Sequence, residues 1–148
     1  MKISTRVEYG MLALADIALY SENGSSVSAP DIAERQDISQ KYLEQILTHL
    51  KQAGLICARK GLRGGYALSR PAGEIRLSDI LNALDTGILD DSDFSSGTGS
   101  RGLRGAVNAC LWLRMNSFLA GYAGEHTLAD LMQECRDRMP DAWDYYMI

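Results

Sequence analysis

The chain has 148 residues, a hydrophobic fraction of 46% and a formal net charge of −4, which suit one compact domain with at most an extended arm. No stretch is apolar and long enough to span a bilayer, and Met1-Lys2-Ile3 does not begin a secretory signal. Three cysteines at irregular spacing do not form a disulfide framework, so we expect a protein of the reducing cytoplasm with no membrane partner.

The first predicted element is a helix over residues 5–20, where apolar side chains recur along one face and further apolar residues broaden that face. A helix this apolar is expected to be buried on two sides. Glu8 in its first turn suits the positive end of the helix dipole, which is the simplest account of that carboxylate. A polar loop over residues 21–26 follows.

Two helices separated by a tight turn are predicted next. Ser28 is placed to cap the first helix, which Asp37 breaks. Ser39 is placed to cap the second, which runs from Gln40 to about Ala53. Its apolar residues repeat at i, i+3, i+4 and i+7, a pattern that predicts one buried stripe and one polar outward face.

A short hairpin is predicted after Gly54, which is placed to end the second helix. Residues 55–59 and 66–68 are the strand candidates, and the turn between them is rich in glycine and basic side chains. A basic hairpin tip fits a wing that lies on a phosphate backbone. The sequence therefore predicts a mainly α fold with a small β wing, a winged helix-turn-helix, extended by the long helix described below.

Charge is distributed unevenly along the chain. Residues 29–70 carry seven basic and four acidic side chains, a net charge of +3. Because the whole chain carries −4, the remaining residues together carry −7. A basic segment in an acidic protein favours selective binding to DNA. Two alternatives fit the same pattern: a helical hairpin beside a surface turn with solvated charges, and a winged helix that binds a protein partner.

Beyond the wing, Ser78 is expected to cap a short helix that ends at Leu84, and residues 85–100 are predicted to form a flexible loop. A long helix from Leu103 to about Leu119 follows, with apolar residues on more than one face. Because one small domain covers only one side, we expect a second copy to cover the other in a two-fold homodimer. The residues assigned to this contact are Val107, Leu111, Trp112, Met115 and Leu119.

Several segments resemble the Rrf-two family of bacterial transcription regulators: DIAERQDISQKYLEQILTHLKQAGLI followed by GLRGGYAL, the N-terminal MKISTRVEYGMLALADIAL, SDILNALD and TLADL. The resemblance covers most of the chain. It implies a homodimeric, sequence-specific DNA-binding regulator, expected to be a repressor. Two-fold symmetry then predicts a roughly palindromic operator, since each subunit reads one half-site.

DNA contacts are expected from the start of the second helix of the motif and from the wing. Gln45 suits an adenine edge, while Tyr42 and Ser39 suit phosphate. Glu44 is assigned to selectivity, because a carboxylate there repels phosphate or accepts a hydrogen bond from cytosine. The residues assigned to DNA are Ser39, Gln40, Lys41, Tyr42, Gln45, His49, Arg59, Lys60 and Arg63.

The resemblance also implies a sensor, since several family members hold an iron–sulfur cluster on three closely spaced cysteines before the long helix. Here that loop has no cysteine, and serine is a poor ligand for such a cluster. We therefore expect no cofactor. Two alternatives stay open: a cluster on Cys110 with Glu8 or a histidine of a second copy, and thiol oxidation at Cys57, Cys110 or Cys135. Engineered replacement of the loop cysteines by serine would also produce a loop of this composition.

The chain is expected to close with a helix capped by Thr127 that ends near Met139, followed by an aromatic tail. The simplest expectation is that the tail packs on its own dimer. Its last four residues, 145–148, resemble the end of a cluster-free family member that governs cysteine metabolism. That resemblance implies control through a cysteine-synthesis enzyme that docks on the tail.

The sequence contains no nucleophile–base pair, phosphate loop or metal-ligand spacing, and its two histidines, His49 and His126, need no catalytic role. We therefore expect a regulator and not an enzyme. The predicted parts are the winged helix-turn-helix over residues 1–84, a sensor-type loop over 85–102, and a dimerisation and C-terminal part over 103–148.

Overall fold

The computed structural model describes residues 3–61, 64–90 and 102–139. Its two strands, β1 Ile56–Arg59 and β2 Gly65–Leu68, pair antiparallel. Single 3₁₀ turns cover Glu22–Gly24 and Ala72–Glu74. The prediction of a mainly helical fold with a small two-stranded wing is confirmed. The helices are α1 Thr5–Tyr20, α2 Ala29–Gln36, α3 Gln40–Gln52, α4 Leu77–Leu84, α5 Gly102–Val107, α6 Leu113–Glu125 and α7 Leu128–Arg138.

Within these ranges, no helix combines the length and the apolar character that crossing a membrane requires.

Helix α1 runs through the core and contacts α2, α3, α4 and α7. Ser4 caps it by accepting a hydrogen bond from the Val7 N–H at 3.3 Å. Gly10 allows α4 to come close, because a Cβ at this position would lie 2.3 Å from a methyl carbon of Leu84. The apolar pattern of residues 5–20 thus predicted both the helix and its burial on more than one side.

The helix-turn-helix forms through the caps that the sequence predicts. Ser28 Oγ accepts from the Asp31 N–H at 3.2 Å and Ser39 Oγ accepts from the Tyr42 N–H at 3.3 Å. Asp37 ends α2 in the left-handed region, with φ 53°. Gly54 adopts φ 76° after α3, a conformation that a glycine takes without steric cost.

Strand β2 of the wing has a second backbone partner that the sequence did not indicate. Ile56 pairs with Leu68 and Arg59 with Gly65 in the hairpin. Val27, the residue before the Ser28 cap, forms an isolated bridge to Tyr66, with N···O distances of 2.8 and 2.7 Å. The wing is therefore joined by backbone hydrogen bonds to the residue before the helix-turn-helix.

Helix α4 corrects one prediction. It begins at Leu77, and Ser78 lies inside its first turn instead of capping it. The cap position belongs to Arg76, whose backbone N–H donates to Asp79 Oδ2 at 3.1 Å. The Asp79 N–H, which a cap hydroxyl would accept, donates instead to the Arg76 carbonyl at 3.0 Å, so the first turn needs no hydroxyl at the cap.

The long helix begins near the predicted residue but continues further, from Gly102 to Glu125. Its middle, Asn108–Trp112, is a π-helical turn between α5 and α6. Nothing in the amphipathic pattern marks that turn, since one extra residue per turn changes the face only locally. Of the predicted loop, residues 91–100 lie outside the described residues.

Helix α7 is fixed to the winged part at its first residue. Thr127 caps the helix as predicted and forms a capping box with Asp130, whose Oδ2 accepts from the Thr127 N–H at 2.9 Å. The Leu128 N–H donates to the Ile75 carbonyl at 2.8 Å. Leu128 and Met132 are buried in the same core cluster as α1. The helix ends at Arg138, within one residue of the prediction.

Candidate DNA-binding surface

Helix α3 has one buried face and one exposed face, and this division fixes what it presents to a partner. Leu43, Ile46, Leu47 and Leu50 are at most 1% exposed. The opposite face is polar. Its exposed residues are Gln40, Lys41, Glu44, Gln45, Thr48, Lys51 and Gln52. A rigid helix with this face outward has the shape and polarity that a major groove admits.

Two of the assigned residues also have roles inside the protein. Ser39 Oγ accepts the capping hydrogen bond of α3, which leaves the hydroxyl proton to donate elsewhere. Tyr42 is half-buried, and its ring meets that of Tyr9 edge-on with centroids 6.0 Å apart. Gln40 Nε2 lies 3.4 Å from Glu44 Oε1, a weak contact between two exposed side chains.

Arg6 is a candidate that sequence reasoning missed. It is exposed in the first turn of α1, and its Nη2 lies 3.5 Å from Nδ1 of His49 on α3. This contact places a guanidinium at the edge of the polar face of α3. No local pattern could indicate it, because the two residues are 43 positions apart.

The basic residues of the wing are not equivalent. Lys60 is exposed beside the turn. Arg59 is exposed, but its Nη1 donates to the Gly24 carbonyl at 2.9 Å, which ties it to the 3₁₀ turn between α1 and α2. Arg63 lies outside the described residues.

Two of the seven basic residues of 29–70 form ion pairs with acidic residues outside that segment. Arg35 is paired with Asp16, whose Oδ1 lies 2.8 Å from Arg35 Nη2. Arg70 Nη2 lies 3.5 Å from Asp79 Oδ2. Of the seven cations counted in the sequence, the exposed residues Lys41, Lys51, Arg59 and Lys60 keep their positive charge on the described part of the chain, and Arg6 adds one at the edge of α3.

The candidate sensor residues lie on separate elements. Cys110 is exposed on the π-helical turn, Cys57 is half-buried on β1 and Cys135 is half-buried on α7. Glu8 is exposed on α1. Among the residues that the structure describes, no three or more histidines, cysteines or acidic residues are grouped so that they could hold a metal ion. These donors do not fit an iron–sulfur cluster within one chain.

The long helix exposes the apolar face that the sequence assigned to a second copy. Leu103 and Phe118 are 82% and 80% exposed. Tyr122, which was not assigned, is also exposed and stacks on His126 with ring centroids 4.2 Å apart. Apolar exposure on this scale marks an interaction surface. The five assigned residues are all exposed: Val107, Leu111, Trp112, Met115 and Leu119.

A mainly helical fold with a helix-turn-helix followed by a two-stranded wing defines a winged-helix DNA-binding protein. Residues 3–134 match the Rrf2 family, described as an iron-dependent transcriptional regulator. The chain belongs to the Rrf2 family. It is a DNA-binding transcriptional regulator and not an enzyme, as the sequence predicts.

Sequence relatives include the transcriptional regulator IscR of Cereibacter sphaeroides, which is 35% identical over 136 residues. The match covers 90% of this chain and 88% of that IscR. The IscR of Cronobacter sakazakii is 33% identical over 132 residues, 89% of this chain and 80% of the relative.

Solved structures similar to this chain include CymR, described as the global cysteine regulator of B. subtilis, with a TM-score of 0.77 and 27% identity. That match covers 90% of this chain and 98% of CymR. T. potens IscR matches with a TM-score of 0.76 and 30% identity, over 93% of this chain and 90% of that one.

Proposed function

We propose that the protein is a cytoplasmic repressor that binds a roughly palindromic operator as a homodimer. The observation that carries this proposal is the outward polar face of α3, with Arg6 at its edge and Lys60 exposed on the wing. Helix α3 would enter the major groove, and the wing would lie along the phosphate backbone or in the minor groove. A repressor acts by covering a promoter.

The individual contacts have separate roles in this proposal. Gln45 reads an adenine edge and Lys41 neutralises a phosphate. Glu44 excludes operators that would place phosphate or a guanine edge beside it. Ser39, Gln40, Tyr42, His49, Arg59 and Arg63 complete the assigned set, and Arg6 joins it.

Homodimerisation is proposed through the exposed apolar face of α5, the π-helical turn and α6. Val107, Leu111 and Met115 are spaced four residues apart and so lie along one side of the helix. An identical helix related by a two-fold axis would cover this side. The two copies of α3 would then face adjacent half-sites of the operator.

The signal is proposed to be redox, iron–sulfur or cysteine-metabolism status, in line with the regulators that this chain is similar to. CymR is described as a global cysteine regulator, and the matched family as iron-dependent. Because the described donors do not fit a cluster in one chain, we expect none, and a cluster would need Cys110 with ligands from a second copy. The second candidate is control by a cysteine-synthesis enzyme that docks on residues 145–148.

Two substitutions on α3 test the DNA contacts on an operator selected from random duplexes. Lys41→Ala should weaken binding to every duplex and lower the dependence of log K on log salt by about one unit, since one phosphate contact is lost. Gln45→Ala should relax specificity at one base position, at a cost of about 1–3 kcal/mol. Glu134→Ala on the exposed face of α7 is the control. Equal effects of all three would contradict the assignment.

An absorbance spectrum and iron assay on protein purified without oxygen test the signal separately. A colourless, iron-free protein that binds its operator supports thiol oxidation or a docked partner. Stoichiometric iron with absorbance beyond the protein band would show a cluster, and the expectation of no cofactor would be wrong.

A further inference from the structure

Asp16 is a carboxylate buried in the middle of α1, with 2% of its surface exposed. Arg35 donates to it twice, from Nη2 to Oδ1 at 2.8 Å and from Nε to Oδ2 at 2.9 Å. Gln36 Nε2 donates to Oδ2 at 2.9 Å. The carboxylate thus accepts three hydrogen bonds, all from side chains in the last turn of α2.

The guanidinium of Arg35 also forms a cation–π contact, with its Cζ 4.2 Å from the centre of the Tyr20 ring. Hydrogen bonding to Asp16 raises the pKa of Arg35 above its usual value. A buried ion pair adds little net stability, because desolvation of both charges offsets their attraction. Its geometric effect is larger, since a planar two-pronged pair is satisfied in only one orientation.

The last turn of α2 determines where α3 begins. Asp37 follows Gln36 directly in the left-handed region, and Ser39 caps α3 two residues later. So short a turn passes any rotation of α2 on to α3. Helix α1 also contacts α3 itself, through Arg6 beside His49. One helix therefore holds both members of the helix-turn-helix.

We propose that Asp16 is a positioning residue for operator recognition, which sets the angle of α3 through Arg35 and Gln36. The inference rests on the proposed role of α3 in DNA binding and adds a residue that is itself buried away from DNA. Base contacts need side chains held within a fraction of an ångström, so a small rotation of α3 costs base readout more than phosphate attraction.

The first test compares Arg35→Lys with Arg136→Lys. Both changes keep a positive charge and remove the guanidinium of an arginine–carboxylate pair, since Arg136 on α7 has its Nη2 2.5 Å from Oε1 of Glu22 in the 3₁₀ turn after α1. Affinity is measured by fluorescence anisotropy for the selected operator and for a random duplex, well below each unfolding temperature. Arg35→Lys should weaken operator binding by at least about tenfold, the size of one lost base contact, with a smaller loss on the random duplex. Arg136→Lys should keep the wild-type values.

A milder pair keeps the test decisive if Arg35→Lys does not fold. Gln36→Ala removes one of the three hydrogen bonds to Asp16. Gln133→Ala removes an amide–carboxylate bond of similar length on the exposed surface of α7, where Gln133 Nε2 donates to Asp137 Oδ1 at 3.0 Å. Gln36→Ala should lower the ratio of operator to random binding, and Gln133→Ala should not.

The outcomes separate the inference from the proposed function. If Gln36→Ala and any folded Arg35→Lys protein lower only the unfolding temperature and leave the specificity ratio unchanged, Asp16 is merely structural and the inference is overturned. If the wild-type protein prefers no duplex, the proposed function fails in the wild-type measurement, and the inference falls with it.

Discussion

Gly65 lies where β2 passes the backbone of Val27. A Cβ at this position would stand 2.4 Å from the Val27 carbonyl oxygen and 3.0 Å from the Ser28 nitrogen. Both are backbone atoms, so neither can rotate out of the way. The close approach that the missing side chain allows at this glycine is therefore to the protein's own backbone.

Gly65→Ala should therefore destabilise the fold by about 1–3 kcal/mol, the usual range for overpacking a tight site. It forces Val27 away from Tyr66 and strains the two hydrogen bonds of the bridge. Urea unfolding measures the change. Gly73→Ala is the matched control, because its nearest neighbour would be the Ala129 Cβ at 4.0 Å. Equal stability of the two variants would contradict the close approach.

At the scale of the element, α7 depends on its capping box. The carboxylate of Asp130 accepts from the Thr127 N–H, while the Asp130 N–H donates to Thr127 Oγ1 at 3.2 Å. The backbone hydrogen bond from Thr127, followed by the contact with its side chain, lowers the pKa of Asp130 below the usual 3.8. A lowered pKa in the folded state means that the ionised carboxylate stabilises the helix.

This contribution has a defined pH dependence. It is fully present above the pKa of the unfolded chain and is lost as the pH falls through the lower, folded-state pKa. Asp130→Asn should therefore be less stable than the wild type at neutral pH, and the gap should close below about pH 4. Urea unfolding of both proteins, from neutral pH to below about pH 4, measures the difference between their free energies of unfolding. A gap that widens as the pH falls would contradict the role of the carboxylate.

Local signals explain why the elements could be predicted. Ser28, Ser39 and Thr127 act within three residues of themselves, and the apolar stripe of α3 repeats within one helix. The missed features join distant positions. Asp16 and Arg35 are 19 residues apart, and the Val27–Tyr66 bridge joins the residue before Ser28 to strand β2. For the same reason, the surface of α3 was predicted but Arg6 beside it was not.

At the scale of the whole molecule, the long helix leaves an apolar face exposed in a single chain. Met115 is 51% exposed and Leu111 42% exposed on the same side of the helix. Burying a fully exposed side chain of this kind stabilises by roughly 1.5–3 kcal/mol, and each of these two has about half of that still to gain, which is why a second copy is expected to cover them.

Met115→Glu should shift the protein towards the monomer, because the carboxylate would be buried against an apolar partner. Analytical ultracentrifugation measures the mass. Operator affinity should fall as the protein becomes monomeric, because a monomer contacts only one half-site. Ser117→Glu, on the opposite side of the same helix, is the control and should stay dimeric. A dimeric Met115→Glu protein would place the contact elsewhere.

The central claim is that two copies of α3 read two related half-sites. The most direct measurement is selection of bound duplexes from a random pool by the wild-type protein, followed by sequencing. We predict an enriched inverted repeat whose half-sites lie about one helical turn apart, centre to centre. Enrichment of a single half-site, or of no sequence, would contradict the account.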